Sequence, residues 1–235
     1  MNLNTTRKTA VVTGVVFIIA TVAALLAALL TPVLTNANYL TLFSEQTKQV
    51  SIGAIFYLIA AFTSVGIAIL LYPVLKVLNL GLALASVVFR TLEAAFYMVA
   101  IVSLMSLLTL SKHYVVADGV EHSLFKTMGD SLVSFHDHAM LMGVFAFCLG
   151  AFMYYYLFFQ SRLVPRWLSG WGILAIILMG TACVLSLFSD NPVTGYTILV
   201  LPIALQEMVL AVWLIVKGFI SHEPEMPLET ISMKE

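Results

Sequence analysis

Long apolar stretches separated by short polar segments make up most of the chain. Six of them approach or exceed about 20 residues, the length that an α-helix needs to cross the hydrocarbon core of a bilayer. They lie at about residues 9–30, 50–75, 80–110, 138–160, 167–188 and 196–216. An open sheet cannot satisfy its backbone in lipid, and no stretch shows the alternation of a barrel strand. The pattern therefore predicts an all-α, polytopic membrane bundle of six helices.

Composition leads to the same class of protein. The 235 residues are 61% hydrophobic and only 10% charged, whereas soluble domains average about 25% charged residues. The lipid bilayer is therefore the expected partner. The net charge of −1 says nothing about nucleic acid, but the chain has no basic run, and we expect no nucleic-acid partner. Cys148 and Cys183 lie in apolar spans without metal-ligand spacing, and we expect no cofactor.

The first span could be mistaken for a signal peptide because Arg7 and Lys8 precede it. Its apolar run is about 22 residues long, however, and a signal peptide has an apolar region of about 7–15 residues. We therefore predict an uncleaved helix. Residues 1–220 are expected to form one domain, followed by a polar, disordered tail at 221–235.

Positive charges predict the orientation of the bundle. With six spans, one side carries seven Lys and Arg residues, namely Arg7, Lys8, Lys76, Arg162, Arg166, Lys217 and Lys234. The other side carries three, namely Lys48, Lys112 and Lys126. Cytoplasmic loops are enriched in Lys and Arg, so both termini are predicted to be cytoplasmic. The aromatic run at 153–159 is expected to form an interfacial belt on the same side.

Three charged residues fall inside the spans. Arg90 and Glu93 are three residues apart on the third span, and Glu207 lies in the sixth. At 1.5 Å per residue, Arg90 and Glu207 each lie roughly 15 Å from the cytoplasmic boundary. We therefore predict an Arg90–Glu207 bridge between these spans, with Tyr97 and Gln206 as hydrogen-bond partners. The three charges sum to −1, so the carboxyl farther from the guanidinium is expected to be protonated.

This polar cluster has three interpretations. Buried ion pairs often only hold helices together, which would make it a structural latch. It could instead bind a ligand or a proton, because intramembrane charges commonly line functional sites. The third interpretation is an acid–base centre in which Glu93 or Glu207 acts on a lipid-like substrate.

Histidines in the segment predicted as an outer loop, 111–137, and beside it raise the question of a metal site. His113, His136 and His138 lie near several carboxylates, and this set of side chains suits a divalent ion. His136 and His138 are only two residues apart, however, and therefore do not share a helix face. Solvated loop histidines are the simpler interpretation. On the fourth span, Gly143, Ala146 and Gly150 have a spacing that allows close helix packing.

Four stretches together resemble a known bacterial family. They read LLYPVLK at 70–76, FRTLEAAFY at 89–97, VPRWLSGWGILA at 164–175 and LPIALQEMVLAVWLIVKGF at 201–219. Their order and spacing resemble the membrane-protein family catalogued as Domain of Unknown Function 4386. The resemblance implies a compact, multi-helix protein of the bacterial inner membrane and gives no activity.

These observations favour a non-enzymatic membrane module that binds or passes a small lipophilic or protonatable molecule, such as a lipid. The alternatives are an intramembrane enzyme and a scaffold for a partner membrane protein. An alternating-access transporter is less favoured, because it would normally show inverted repeats or broken helices.

Overall fold

The chain folds into helices only, in a computed structural model that describes residues 3–189 and 191–220. The predicted tail at 221–235 lies outside these residues. Within them there is no strand, and the α-helices are α1 (Leu3–Leu30), α2 (Tyr39–Glu45), α3 (Thr47–Leu75), α4 (Leu80–Tyr114), α5 (Gly119–Ser161), α6 (Arg166–Leu187) and α7 (Thr197–Val216). A single 3-10 turn, Val193–Gly195, precedes α7. The predicted all-α class is confirmed.

All helices except α2 are long and apolar enough to cross a membrane, which gives the six expected spans. The 35 residues of α4 and the 43 of α5 exceed the required length. At 1.5 Å per residue, α5 is about 65 Å long, against a hydrocarbon core of about 30 Å. The prediction of an outer loop at 111–137 is wrong, because α4 continues to Tyr114 and α5 begins at Gly119. The polar residues there lie on helices that extend beyond the length of a membrane span.

The six long helices form a closed ring. Each packs against the next long helix in the chain, and α7 packs back against α1. This order places α4 and α7 on opposite sides of the ring. Arg7 joins the two ends of the chain, since its Nη2 donates to the carbonyl oxygens of Ile215 at 2.8 Å and Val216 at 3.1 Å. The start of α1 and the end of α7 therefore lie at the same end of the bundle, which we call the terminal end.

Helix α2 lies at the opposite end, which we call the α2 end. Its buried residues Tyr39, Leu40 and Phe43 form a small apolar core with Val50 of α3 and the later part of α4. A larger core fills the ring and contains residues of all six long helices. The polar residues of interest lie within this larger core and in a cavity next to α2.

Candidate functional site

The first group of polar residues joins α3 to α4. Arg90 and Glu93 are 2% and 3% exposed, and Arg90 Nη1 lies 3.1 Å from Glu93 Oε2. Ser64 of α3 donates a hydrogen bond to the same carboxylate oxygen at 2.8 Å. Arg90 Nε donates to the Ser64 carbonyl at 3.4 Å, and the guanidinium lies 4.6 Å from the centre of the Phe147 ring. The carboxylate of Glu93 thus has an ionic partner and a hydrogen-bond donor.

The predicted Arg90–Glu207 bridge is wrong, because the ionic partner of Arg90 is Glu93. These two residues share one face of α4 at a spacing of three. Glu207 lies on α7, across the ring from α4, and no Arg90–Glu207 contact falls within 4.0 Å. Similar depth in the membrane does not by itself bring two side chains together.

Two glycines of α5 make room for side chains of α4. A Cβ atom at Gly150 would lie 3.0 Å from Arg90 Cγ and 3.1 Å from its Cδ, and one at Gly143 would lie 2.5 Å from the Tyr97 ring. The spacing of small residues on α5 therefore allows close packing, as the sequence predicted. The space at these glycines is filled by the aliphatic stem of Arg90 and the ring of Tyr97. Ser86 adds a bond between the same helices by donating to the Gly150 carbonyl at 3.0 Å.

The second group of polar residues joins α5, α6 and α7. Tyr154 donates to Glu207 Oε1 across a long 3.5 Å. Tyr155 donates to Gln206 Oε1, and Gln206 Nε2 donates to the Leu168 carbonyl at 3.0 Å. Glu207 is therefore held by one long hydrogen bond. In its neighbour Gln206, both the oxygen and the nitrogen of the side-chain amide are hydrogen-bonded.

Tyr154 and Tyr155 are site residues that the sequence analysis assigned to another role. They belong to the run 153–159, which was predicted to be an interfacial belt, but both are fully buried inside the ring. Only Tyr156 and Phe159 of the aromatic residues in this run are exposed, together with Phe152 just before it. The helical period could have distinguished the buried Tyr154 from the exposed Tyr156, since residues two apart lie on different faces of a helix.

Glu207 is half-buried although it faces the interior of the ring. Of its four neighbours one turn away, Ile203, Leu210 and Ala211 are at most 3% exposed, and Ala204 is half-buried. Residues three and four apart share a helix face, so the face that carries Glu207 is largely covered by other helices.

Tyr97 on α4 and Met179 on α6 show the same pattern. Both side chains are half-buried, while the residues three and four positions away on either side are all buried. For Tyr97 these are Glu93, Ala94, Ala100 and Ile101, and for Met179 they are Ala175, Ile176, Ala182 and Cys183. We call Tyr97, Met179 and Glu207 the interior track, because all three are half-buried on helix faces whose other residues are mostly buried.

A cavity of about 690 Å³ opens at the α2 end. Its walls come from the segment before α2, from α5, and from the connection between α6 and α7. Apolar lining residues include Leu34, Val133, Leu141, Leu187 and Phe188, and polar ones include Asp130, Ser134, Asp137, His138, Ser186 and Asn191. We call it the α2-end cavity. Leu141 lies two residues before Gly143, which contacts Tyr97, so the cavity reaches the level where the interior track begins.

The carboxylate of Asp130 at this cavity is already paired. It accepts a hydrogen bond from Tyr39 at 2.8 Å and lies 2.6 Å from Lys126 Nζ. Burial and the neighbouring Asp130 carboxylate raise the pKa of the Tyr39 hydroxyl, because both disfavour its anionic form. These contacts fix α2 against α5.

The three histidines considered for a metal site do not meet. His113 stacks on Phe125. His136 Nδ1 lies 3.0 Å from Asp137, and His138 Nδ1 lies 2.6 Å from the Ser134 carbonyl. Across the described parts of the chain, no three His, Cys, Asp or Glu side chains could share a metal ion. His136 and His138 are also helical residues of α5, so their description as loop histidines is wrong.

The ring of six apolar helices around buried polar groups defines a multi-pass membrane protein. Residues 12–218 match the family described as Domain of unknown function (DUF4386), and the chain belongs to this family. Neither a curated protein nor a solved structure gives a significant match.

Proposed function

We propose that the protein is a non-enzymatic module of the bacterial inner membrane that binds a small lipophilic or protonatable molecule. Its termini face the cytoplasm in this proposal, as the distribution of Lys and Arg predicts. The α2-end cavity then opens on the outer side. The buried Arg90–Glu93 pair serves as a latch between α3 and α4.

The observation that carries this proposal is the α2-end cavity itself. Ligand sites are usually cavities of about 300–1,000 Å³ with mostly apolar walls and a few polar groups. The cavity volume of about 690 Å³ falls within that range, and its lining is divided about equally between apolar side chains and carboxyl, hydroxyl, amide and imidazole groups. Walls of this mixed kind suit an amphipathic small molecule.

The enzyme alternative receives less support. Glu93 is occupied by Arg90 and Ser64, and neither Glu93 nor Glu207 belongs to the lining of the α2-end cavity. A general acid or base must come within hydrogen-bond reach of the proton that it transfers. A molecule bound in this cavity would therefore not contact the carboxyl group of either glutamate.

Photolabelling in lipid nanodiscs tests the proposal. The probe is decanol carrying a diazirine, and peptide mapping by mass spectrometry locates the modified residues. We expect peptides with Leu141 and 186–192 to be labelled above the background from lipid-facing segments. Val133→Trp should fill the cavity and remove the excess. Val88→Trp is the matched control, because Val88 is exposed on α4 and does not line the cavity.

Two results would contradict binding in the cavity. One is labelling of the cavity peptides at the lipid-facing background, and the other is labelling that survives in Val133→Trp. The same experiment addresses the enzyme alternative, since a bound molecule is recovered chemically unchanged after incubation without light.

A further inference from the structure

Charge pairing inside the ring leaves one carboxylate without a cation in contact. Arg90 lies 3.1 Å from Glu93. No Lys, Arg or His of the described chain lies within 4.0 Å of the Glu207 carboxylate, and Arg90 acts on it only from a longer distance. An ionised group in the membrane interior is costly unless it is paired. The ionised form of Glu207 would therefore be stabilised by a cation in direct contact.

The hydrogen-bond donor to Glu207 belongs to an aromatic cluster. The Tyr154 ring has the Tyr155 ring 4.5 Å away, the Phe158 ring 6.0 Å away and the Phe17 ring 6.4 Å away, measured between centroids. All four rings are fully buried and pack against one another, and the Tyr154 hydroxyl donates to Glu207. A carboxylate held in this way attracts a cation and repels an anion.

The space that Glu207 faces belongs to the interior track. The half-buried Met179 and Tyr97 lie on the opposing helices α6 and α4. Met is flexible and polarisable, and it adapts to ligands of different shape. An aliphatic chain has apolar contacts available between these residues and the α2-end cavity, while its charged end lies at Glu207.

We propose that Glu207 is the counter-ion for the ammonium group of a lipophilic amine. This inference rests on the proposed binding function and adds the chemical class of the ligand. Glu207 is then a binding residue, and Tyr154 positions its carboxylate. The buried Arg90–Glu93 pair takes no part in binding the ammonium group.

A matched series of probes tests the sign of the charge. Hexyltrimethylammonium, hexanol and hexanesulfonate share one chain and differ in charge. Their affinities are measured on the full chain in nanodiscs by competition with the diazirine decanol. We expect the cation to bind about tenfold tighter than hexanol, which corresponds to about 1.4 kcal/mol for the contact with Glu207. Hexanesulfonate should bind more weakly than hexanol.

Glu207→Gln keeps the shape and the acceptor for Tyr154 while it removes the charge. We expect this variant to bind the cation and hexanol with similar affinities. Glu45→Gln makes the same chemical change at an exposed position of α2 and should leave the tenfold preference intact. A thermal midpoint close to that of the parent protein shows that each variant is folded.

Three results would overturn the inference, and they are distinguishable. If hexanol binds without a preference for the cation, the ammonium assignment is wrong and the proposed function stands. If Asp137→Asn rather than Glu207→Gln removes the preference, the charged end lies in the α2-end cavity. If no probe of any charge competes, both the inference and the proposed function are wrong.

Discussion

Two glutamates face the interior of the same ring, and their surroundings differ in almost every respect. Glu93 is 3% exposed, with an arginine at 3.1 Å and a serine hydroxyl at 2.8 Å. Glu207 is half-buried, with one hydrogen bond of 3.5 Å and no cationic group of the described residues within 4.0 Å. The first carboxylate is satisfied by the fold, which is typical of a structural role. The second has capacity left for something outside the fold.

The largest effect is expected from removing the charge of Glu93. Glu93→Gln leaves Arg90 buried without an ionic partner, and breaking one side of a buried pair costs about 3–5 kcal/mol. The thermal or denaturant unfolding of the purified protein in detergent measures this loss. A variant as stable as the parent protein would show that the α3–α4 pair is not a latch.

A double substitution distinguishes the contribution of the ion pair from the contribution of side-chain packing at the same two positions. Arg90→Met together with Glu93→Gln removes both charges, and replacing a whole buried pair with neutral groups is often close to neutral in stability. We expect the double variant to be more stable than Glu93→Gln alone. If the two substitutions destabilise additively, the contact between the charges contributes nothing.

The next effect concerns the packing that supports the α4 side of the comparison. Gly143→Ala places a methyl group 2.5 Å from the Tyr97 ring, and overpacking of this kind costs about 1–3 kcal/mol. Gly180→Ala on α6 is the control, since its Cβ would meet nothing within 4 Å. The difference in unfolding free energy between the two variants checks the close approach of α4 and α5. Equal stability would mean that Tyr97 does not pack against Gly143.

The sequence predicted the helices well because lipid imposes a simple rule. Every backbone group must be satisfied within its own segment, so length and apolarity identify a span. The same rule does not mark where α4 and α5 continue beyond the length of a span. Residues around His136 were interpreted as a loop, because polar side chains on an exposed helix face resemble loop composition.

The partner of Arg90 could not be predicted for a different reason. Counting residues gives depth along the membrane normal, and Arg90 and Glu207 do have similar depths. Contact also requires the two helices to be neighbours, and the ring order that separates α4 from α7 is a property of packing. The membership of Tyr154 in the site was missed because the whole run 153–159 was assigned to the membrane interface without separating its buried and exposed helix faces.

A smaller effect is expected when the charge of Glu207 is removed. Glu207→Gln deletes no ion pair and retains the contact with Tyr154, so the change in stability should stay below about 1 kcal/mol. The same unfolding measurement used for Glu93→Gln gives the contrast directly. A loss as large as that of Glu93→Gln would mean that Glu207 is also part of the structural latch, and the distinction between the two glutamates would disappear.

The smallest effect tests whether incomplete pairing extends from Glu207 to α1. Thr13 is fully buried on the face of α1 that carries Phe17, and its hydroxyl has no hydrogen-bond partner in the part of the protein that the structure describes. Thr13→Val replaces that hydroxyl with a methyl group of similar size. We expect a gain of roughly 0.5–1 kcal/mol in unfolding free energy, because an unsatisfied buried polar group is removed. A loss of stability instead would mean that the hydroxyl is satisfied by water or a bound molecule, and the interior of the ring on the α1 side would then be wet.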